Sequence, residues 1–300
     1  MRRKDISDAL AGRGVPLGRP RRAAYALPTL FTALNLFLGY LSILKSFEGA
    51  MLAKTGYLGH NPHFELAAIV IGVAMFLDGL DGRIARLTNT VSEFGRELDS
   101  LADVITFGVA PAVLAFTTGF AFVDGNLPGP YQDHLQRAGY FIVFVYLLCG
   151  AARLARFNIQ VNPVPTNPGH PDKKYFVGLP IPSAAVMVAA VVYAAGSAPI
   201  EWWVYSVGWL ALLALLSALM LSSWRYRSFK DVNLLRPRSP QSVVLVGSLI
   251  FLIWNYSRPV LLAMAIVYVG SGVYVRIEGI VRRRFGHHEP EPGEQAGTAV

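Results

Sequence analysis

The chain has 300 residues, of which 53% are hydrophobic and only 15% are charged. An average protein carries about 25% charged residues, so this composition indicates a lipid-embedded chain and excludes a disordered or fibrous one. The single cysteine, Cys149, excludes an intramolecular disulfide and a cysteine-based metal site. A net charge of +8 suits nucleic-acid binding only on a soluble fold with a basic face, and most of this chain is apolar.

Apolar segments of about 20 residues follow one another along the chain, and each predicts a membrane-spanning helix. They lie near residues 27–44, 64–86, 98–123, 138–157, 176–198, 202–223, 241–256 and 259–275. The seventh is short, and Ser257, Arg258 and Pro259 interrupt the last pair, which favours a tight hairpin over one re-entrant feature. The predicted fold is all-α: a polytopic membrane helix bundle with about eight transmembrane helices.

The distribution of Lys and Arg predicts the orientation of these helices. With a cytoplasmic N-terminus, 23 of the 27 basic residues fall on the cytoplasmic side, and four fall outside: Lys45, Lys54, Arg137 and Arg258. The positive-inside rule therefore predicts an inner (cytoplasmic) membrane protein with both termini in the cytoplasm. Residues 1–24 form a basic cytoplasmic arm, residues 25–277 the transmembrane domain, and residues 278–300 a disordered cytoplasmic tail.

Four acidic residues lie at the cytoplasmic ends of the second and third predicted helices: Asp78, Asp81, Asp99 and Asp103. A charge within the membrane costs at least about 2.5–3.5 kcal/mol, so such residues indicate function. The first two are about 60° apart around their helix and the last two about 40° apart. A short turn at 87–89 and a capping box at 90–93 separate the helices, so both pairs can face one cavity. An all-oxygen cluster suits Mg²⁺ or Mn²⁺ better than zinc, and four Asp are enough to hold two ions.

Small residues accompany the acids on or beside the same helix faces: Gly79, Gly82, Ala85 and Gly95. They allow a bulky ligand to approach the backbone closely. The alternative is close helix–helix packing, for which small residues are also used in membranes. Their combination with the carboxylates favours a ligand.

The pattern D-x2-D-G-x2-A-R-x8-G-x3-D-x3-D, from Asp78 to Asp103, resembles the signature of the CDP-alcohol phosphatidyltransferases at every specified position. The resemblance implies a helical membrane enzyme, usually a homodimer, in which two divalent cations hold the diphosphate of a CDP-linked lipid. It implies that the four Asp are metal ligands and that Asp103 is the catalytic base. It also implies a CDP-binding site at Gly79, Gly82, Ala85, Arg86 and Gly95.

Further segments resemble the membrane-integral phosphatidylserine synthases, a branch of that family. These segments are residues 107–112, 152–158, 178–185 and 224–230. This resemblance implies CDP-diacylglycerol and L-serine as substrates, membrane lipids as partners, and no nucleic acid.

The carboxylate of a serine substrate needs a guanidinium or other hydrogen-bond donors. The cytoplasmic candidates for binding serine or phosphate are Arg153, Arg156, Asn158, Arg225 and Arg227. Simple positive-inside anchoring is the alternative explanation for at least half of them. Arg153 and Arg156 rank first because they lie one helical turn apart and precede Asn158.

Two alternatives stay open. One keeps the chemistry but changes the acceptor alcohol to glycerol 3-phosphate or inositol phosphate. The other is a cation or proton transporter, which would need acidic groups spread across the membrane depth and no neighbouring Arg residues.

Overall fold

The computed structural model describes residues 22–88, 93–123, 128–159, 175–222, 224–227 and 240–285. Within these ranges the chain is mainly helical, with one π-helical segment and two short strands. The elements, in chain order, are α1 (Arg22–Lys54), α2 (Pro62–Thr88), α3 (Glu93–Asp103), the π-helical segment (Val104–Val109), α4 (Ala110–Gly119), α5 (Gly129–Ile159), β1 (Tyr175–Val177), α6 (Ile181–Ala194), α7 (Trp203–Leu221), β2 (Arg225–Arg227), α8 (Pro240–Asn255) and α9 (Ser257–Phe285).

The predicted polytopic helical bundle is confirmed. Six stretches of helix in the described residues are long enough and apolar enough to cross a membrane. The fifth and seventh predicted spans correspond to shorter helices, α6 with 14 residues and α8 with 16. The last helix, α9, continues through Gly279 to Phe285, past residue 277, where the predicted transmembrane domain ends.

The predicted fifth span begins as an extended segment instead of a helix. β1 pairs antiparallel with β2, with Phe176 opposite Tyr226. Pro180 and Pro182 flank the first helical residue of α6 and carry no N–H, so both fit a helix start. Gly178, with φ +79°, packs so closely that an added Cβ would lie 2.6 Å from the Met220 carbonyl oxygen.

This extended segment keeps its backbone hydrogen-bonded within the protein. The Gly178 N–H donates to the Trp224 carbonyl at 2.8 Å, and the Leu179 N–H donates to the Leu219 carbonyl at 3.0 Å. Unpaired backbone groups are costly in a lipid environment, so non-helical backbone is tolerated only where protein or water satisfies it. The end of α7 and the residues after it therefore satisfy the extended backbone that precedes α6.

The core is centred on α6, which packs between α2 and α9. Ile181, Ala184, Ala185 and Val188 of α6 are fully buried. Small side chains at two of these positions let neighbouring helices approach closely, as is typical of helix packing in membranes. The same packing brings α9 next to α6, which in turn packs against α2.

The π-helical segment follows directly after Asp103. Pro111 has no N–H to offer the carbonyl of Phe107 four residues earlier, and the Tyr146 hydroxyl of α5 donates to that carbonyl at 3.2 Å instead. The Thr106 hydroxyl donates to the Asn35 carbonyl of α1 at 3.1 Å. These two bonds hold the end of α3 between α1 and α5.

A single residue, Tyr256, separates α8 from α9. Arg258 and Pro259, which were predicted to interrupt the last pair, lie in the first turn of α9, where a proline is well tolerated. The Ser257 and Tyr193 hydroxyls are 2.8 Å apart, and Arg258 contacts Glu65 of α2 at 3.4 Å. These contacts fix the start of α9 to the C-terminal end of α6 and to the N-terminal end of α2.

Candidate active site

Three of the four acids singled out in the sequence meet in space. Asp78 comes from α2, and Asp99 and Asp103 come from α3. One carboxylate oxygen of each lies within 4.8 Å of the others, and all three side chains are half-buried. Asp81 follows in α2, but its side chain lies outside the described residues.

The helical spacing explains how the acids meet. Asp99 and Asp103 are one turn apart and project from the same face of α3. α3 packs mainly against α1 and the π-helical segment, and its described contact with α2 is slight. The carboxylates therefore face one another across the space between α2 and α3. The predicted capping box at 90–93 falls largely outside the described residues, and α3 begins at Glu93.

The donor set fits divalent cations that prefer oxygen ligands. Three carboxylates at this separation repel one another, and the repulsion is strong where solvent is partly excluded. A hard cation such as Mg²⁺ or Mn²⁺ offsets it and takes carboxylate oxygens as ligands. The described group contains no His or Cys, so it does not suit zinc.

Gly79 lies beside Asp78 in α2 and is exposed. A Cβ added there would meet nothing within 4 Å among the described residues, so no close packing against those residues accounts for this glycine. Gly95 is half-buried in the first turn of α3. The surroundings of Gly82, Ala85 and Arg86 are not described, so their CDP-binding role stays a prediction.

Arg153 is the best-enclosed of the described cationic candidates. The residue is 9% exposed, and its Nε atom has no hydrogen-bond partner among the described residues. The guanidinium lies 6.0 Å from the centre of the Phe157 ring and interacts electrostatically with Asp103. The structure thus brings a buried cation of α5 towards the carboxylates.

The other predicted serine- or phosphate-binding residues lie near the end of α5 and in β2. Arg156 is exposed near the end of α5. The Asn158 amide donates to the Ser100 hydroxyl of α3 at 2.8 Å, so it ties α5 to the helix that carries Asp99. Arg225 and Arg227 lie in β2, and their side chains are outside the described residues.

Sequence reasoning missed Ser100, whose hydroxyl accepts the hydrogen bond from Asn158. Ser100 lies between two motif acids, but the signature does not specify it.

Comparison with known proteins identifies the class to which this fold and site belong. The family model of the CDP-alcohol phosphatidyltransferases matches residues 25–219. The chain belongs to this family, and with its apolar helices it is a multi-pass membrane protein.

The names of individual relatives are more specific than that of the family. The chain is 36% identical to the CDP-diacylglycerol–serine O-phosphatidyltransferase of Helicobacter pylori strain ATCC 700392 / 26695 over 267 residues, covering 89% of this chain and 94% of the relative. It is 40% identical to the enzyme of that name from Saccharomyces cerevisiae over 54% of this chain and 51% of the relative. It is also 38% identical to the archaetidylserine synthase of Methanothermobacter thermautotrophicus over 55% of this chain and 57% of the relative.

Proposed function

We propose that this protein transfers the phosphatidyl group of CDP-diacylglycerol to the hydroxyl of L-serine, which gives phosphatidylserine and CMP. The observation that carries the proposal is the group formed by Asp78, Asp99 and Asp103, with the buried Arg153 interacting with Asp103. It provides carboxylates for divalent cations, a base, and a cation for an acceptor's carboxylate. The names of the relatives support serine as the acceptor.

Asp78, Asp99 and Asp103, together with Asp81, would hold two divalent cations, Mg²⁺ or Mn²⁺. When bound, such cations neutralise the charge of a diphosphate and of the departing CMP. Gly79, Gly82, Ala85, Arg86 and Gly95 would line the CDP-binding site. The open space around Gly79 supports this part of the proposal.

The reaction forms a bond between the serine hydroxyl oxygen and the phosphatidyl phosphorus and breaks the bond from that phosphorus to CMP. The hydroxyl proton passes to a carboxylate oxygen of Asp103, the candidate general base. A carboxylate that also binds a cation is a weaker base, so one oxygen of Asp103 must stay available for the proton.

The acceptor must be bound with its hydroxyl next to Asp103. A guanidinium binds a carboxylate through two parallel N–H donors. The Nε of Arg153 has no hydrogen-bond partner among the described residues, so it can supply one such donor to the acceptor. Arg156, Arg225 and Arg227 are further candidates for phosphate or carboxylate groups. Asn158 would act indirectly through Ser100.

The proposed setting is the cytoplasmic membrane, with both termini and the active site on the cytoplasmic side. Serine and CMP are water-soluble, so this arrangement lets them exchange with the cytosol. The homodimer implied by the family resemblance stays a prediction. The exposed apolar side chains of α8, including Phe251 and Trp254, would face lipid or a second copy.

An acceptor screen tests the function. Purified protein in detergent is supplied with CDP-diacylglycerol and either L-serine, glycerol 3-phosphate or inositol phosphate, with and without Mg²⁺ or Mn²⁺. We expect CMP release, and lipid containing labelled serine, only with serine and a divalent cation together.

The outcomes distinguish an error in the identity of the acceptor from an error in the transfer reaction itself. CMP release that follows glycerol 3-phosphate or inositol phosphate would change the acceptor and keep the phosphatidyl transfer. No CMP release with any acceptor, from protein that unfolds cooperatively on heating, would contradict the transfer itself.

A further inference from the structure

Two hydrogen bonds join α5 to the part of the chain that carries Asp103. Before Asp103 in the chain, the Ser100 hydroxyl accepts a hydrogen bond of 2.8 Å from the Asn158 amide. After Asp103, the Phe107 carbonyl accepts a hydrogen bond of 3.2 Å from the Tyr146 hydroxyl. Both bonds connect residues that are far apart in the sequence, so they depend on how the helices pack.

These two bonds enclose the level at which Asp103 and Arg153 lie. Positions that ascend along α3 pair with positions that descend along α5, so the two helices run antiparallel. Measured from the bond at Ser100 and at 1.5 Å per residue, Asp103 is about 4.5 Å along α3 and Arg153 about 7.5 Å along α5 in the same direction. Both residues therefore lie between the two bonds, and their side chains interact electrostatically.

The bond from Tyr146 lies in a closely packed region. Tyr146 and Phe107 are fully buried, and the Phe107 carbonyl is available because Pro111 has no N–H to offer it. A Cβ added to the adjacent Gly108 would lie 2.8 Å from the Leu147 side chain of α5. This bond therefore fixes α5 against the π-helical segment.

The bond from Asn158 holds the other side of the pair. Ser100 and Asn158 are half-buried, and the Ser100 hydroxyl donates in turn to the Arg96 carbonyl at 3.0 Å. A hydroxyl that both accepts and donates a hydrogen bond is held in one orientation. α3 packs mainly against α1 and the π-helical segment, so this bond links the acid-bearing helix directly to the helix that carries Arg153.

We propose that Ser100 and Asn158 are positioning residues for the acceptor alcohol. Their hydrogen bond, with the bond from Tyr146 as the second fixed point, sets the spacing between Asp103 and Arg153. That spacing matches the base to the hydroxyl and the guanidinium to the carboxylate of one amino-acid molecule. A general base must reach the proton that it removes, and a displacement of about 1 Å can cost about a hundredfold in rate.

The inference rests on the proposed function and extends it to residues that need not touch a substrate. It gives Asn158 an indirect role, whereas the sequence predicted that this residue binds serine or phosphate itself. The two roles differ in how the effects of substitutions at positions 100 and 158 combine.

Ser100→Ala and Asn158→Ala each remove one partner of the bond. We expect kcat/KM for L-serine to fall about tenfold, as for one lost hydrogen bond, with the KM for CDP-diacylglycerol unchanged. Ser100→Thr should restore the value because it keeps the hydroxyl. The matched controls are Ser271→Ala and Asn255→Ala, since both side chains donate to carbonyls of their own helices.

The double variant Ser100→Ala/Asn158→Ala distinguishes positioning from direct binding. If Asn158 acts through Ser100, the double variant should be no worse than either single variant, because all three remove the same interaction. Additive losses in kcat/KM would mean that Asn158 contacts a substrate independently of Ser100, which contradicts the inference.

Tyr146→Phe tests the second fixed point, because it keeps the ring and removes the hydroxyl. It leaves the buried Phe107 carbonyl without its donor, so the Tm should fall together with kcat/KM for L-serine. Tyr140→Phe on the same helix is the control, because Tyr140 is 55% exposed. A lower Tm with wild-type kinetic constants would limit this bond to stability and contradict its part in positioning.

The kinetic constants for the two substrates decide the outcome. In Ser100→Ala, a raised KM for CDP-diacylglycerol with wild-type values for L-serine would assign the bond to donor binding and overturn the inference. Wild-type values for both substrates in Ser100→Ala and Asn158→Ala would also overturn it, while the proposed function would stand. If the wild-type protein released no CMP with serine, the proposed function would fail first, and the positioning role with it.

Discussion

At the scale of single residues, the acid cluster is an arrangement that is unfavourable without a bound cation. The carboxylates of Asp78, Asp99 and Asp103 lie within 4.8 Å of one another and are half-buried. Like charges at such a distance repel, and partial exclusion of water strengthens the repulsion. Folding energy from the rest of the bundle must hold them together, which is expected of a site organised for cations.

Asp99→Asn removes one charge and changes the side chain very little in size. We expect it to lower the rate of CMP release at least a hundredfold and to reduce the rise in Tm caused by Mg²⁺ or Mn²⁺. In the wild-type protein, a cation at about 100 times its Kd stabilises the fold by about 2.7 kcal/mol. The rate is measured with CDP-diacylglycerol and serine, and the Tm by a thermal scan with and without the cation.

The control for this prediction is Glu97→Gln, two residues earlier on the same helix. The Glu97 side chain is 68% exposed and lies 4.0 Å from Arg96, so its loss should affect neither turnover nor the response to cations. Equal turnover in the Asp99→Asn and wild-type proteins would contradict a role for Asp99 in holding cations.

At the scale of helices, close packing of α4 against α7 supports the π-helical segment and the site before it. The Trp209 indole N–H donates to the Ala115 carbonyl at 2.9 Å, and the Ser206 hydroxyl donates to the Gly119 carbonyl at 2.8 Å. The Trp209 ring lies directly against Gly119, where no Cβ fits. α4 continues from the π-helical segment, so a displacement here would be transmitted towards Asp103.

Gly119→Ala should therefore destabilise the protein. The new methyl group would displace the rigid indole ring of Trp209 and weaken its hydrogen bond to Ala115, at a combined cost of about 2–4 kcal/mol. The matched control is Gly208→Ala in α7, where an added Cβ meets nothing within 4 Å in the part of the chain that the structure describes. That change should leave the Tm unchanged or raise it slightly, since Ala is a better helix former. Equal Tm values for the two variants would contradict the packing argument.

At the scale of the whole molecule, acidic residues paired with basic ones lie at one end of α2, and the acid cluster lies at the other end. Two of the four basic residues predicted to be outside are paired: Lys45 with Glu48, and Arg258 with Glu65. Glu65 and Asp78 are separated by about 20 Å along α2, and no acidic residue lies between them in the sequence. The acids thus form separate groups at opposite ends, whereas a transport path would need them at intermediate depths.

The predicted orientation can be tested by cysteine labelling in sealed right-side-out vesicles. Tyr57, 48% exposed in the connection between α1 and α2, should become reactive to an impermeant maleimide as Tyr57→Cys. Glu97→Cys should react only after the membrane is permeabilised. The wild-type protein serves as the blank, because Cys149 is buried. The reverse labelling pattern would contradict a cytoplasmic active site.

The sequence by itself determined the helical class, the approximate spans and the acid motif. These features depend on local properties, namely the length of apolar segments and the spacing of residues around one helix. The spacing of Asp99 and Asp103, for example, places both on one face of α3 whatever surrounds that helix.

Only the tertiary structure decided which distant groups meet. The shortened α6 depends on backbone bonds from Gly178 and Leu179 to the region around α7, and the π-helical turn depends on Tyr146 of α5. The Asn158 amide of α5 likewise reaches the Ser100 hydroxyl of α3. Such contacts are set by how helices pack and not by local periodicity, so the sequence could predict the acid motif but not the residues that meet it from other helices.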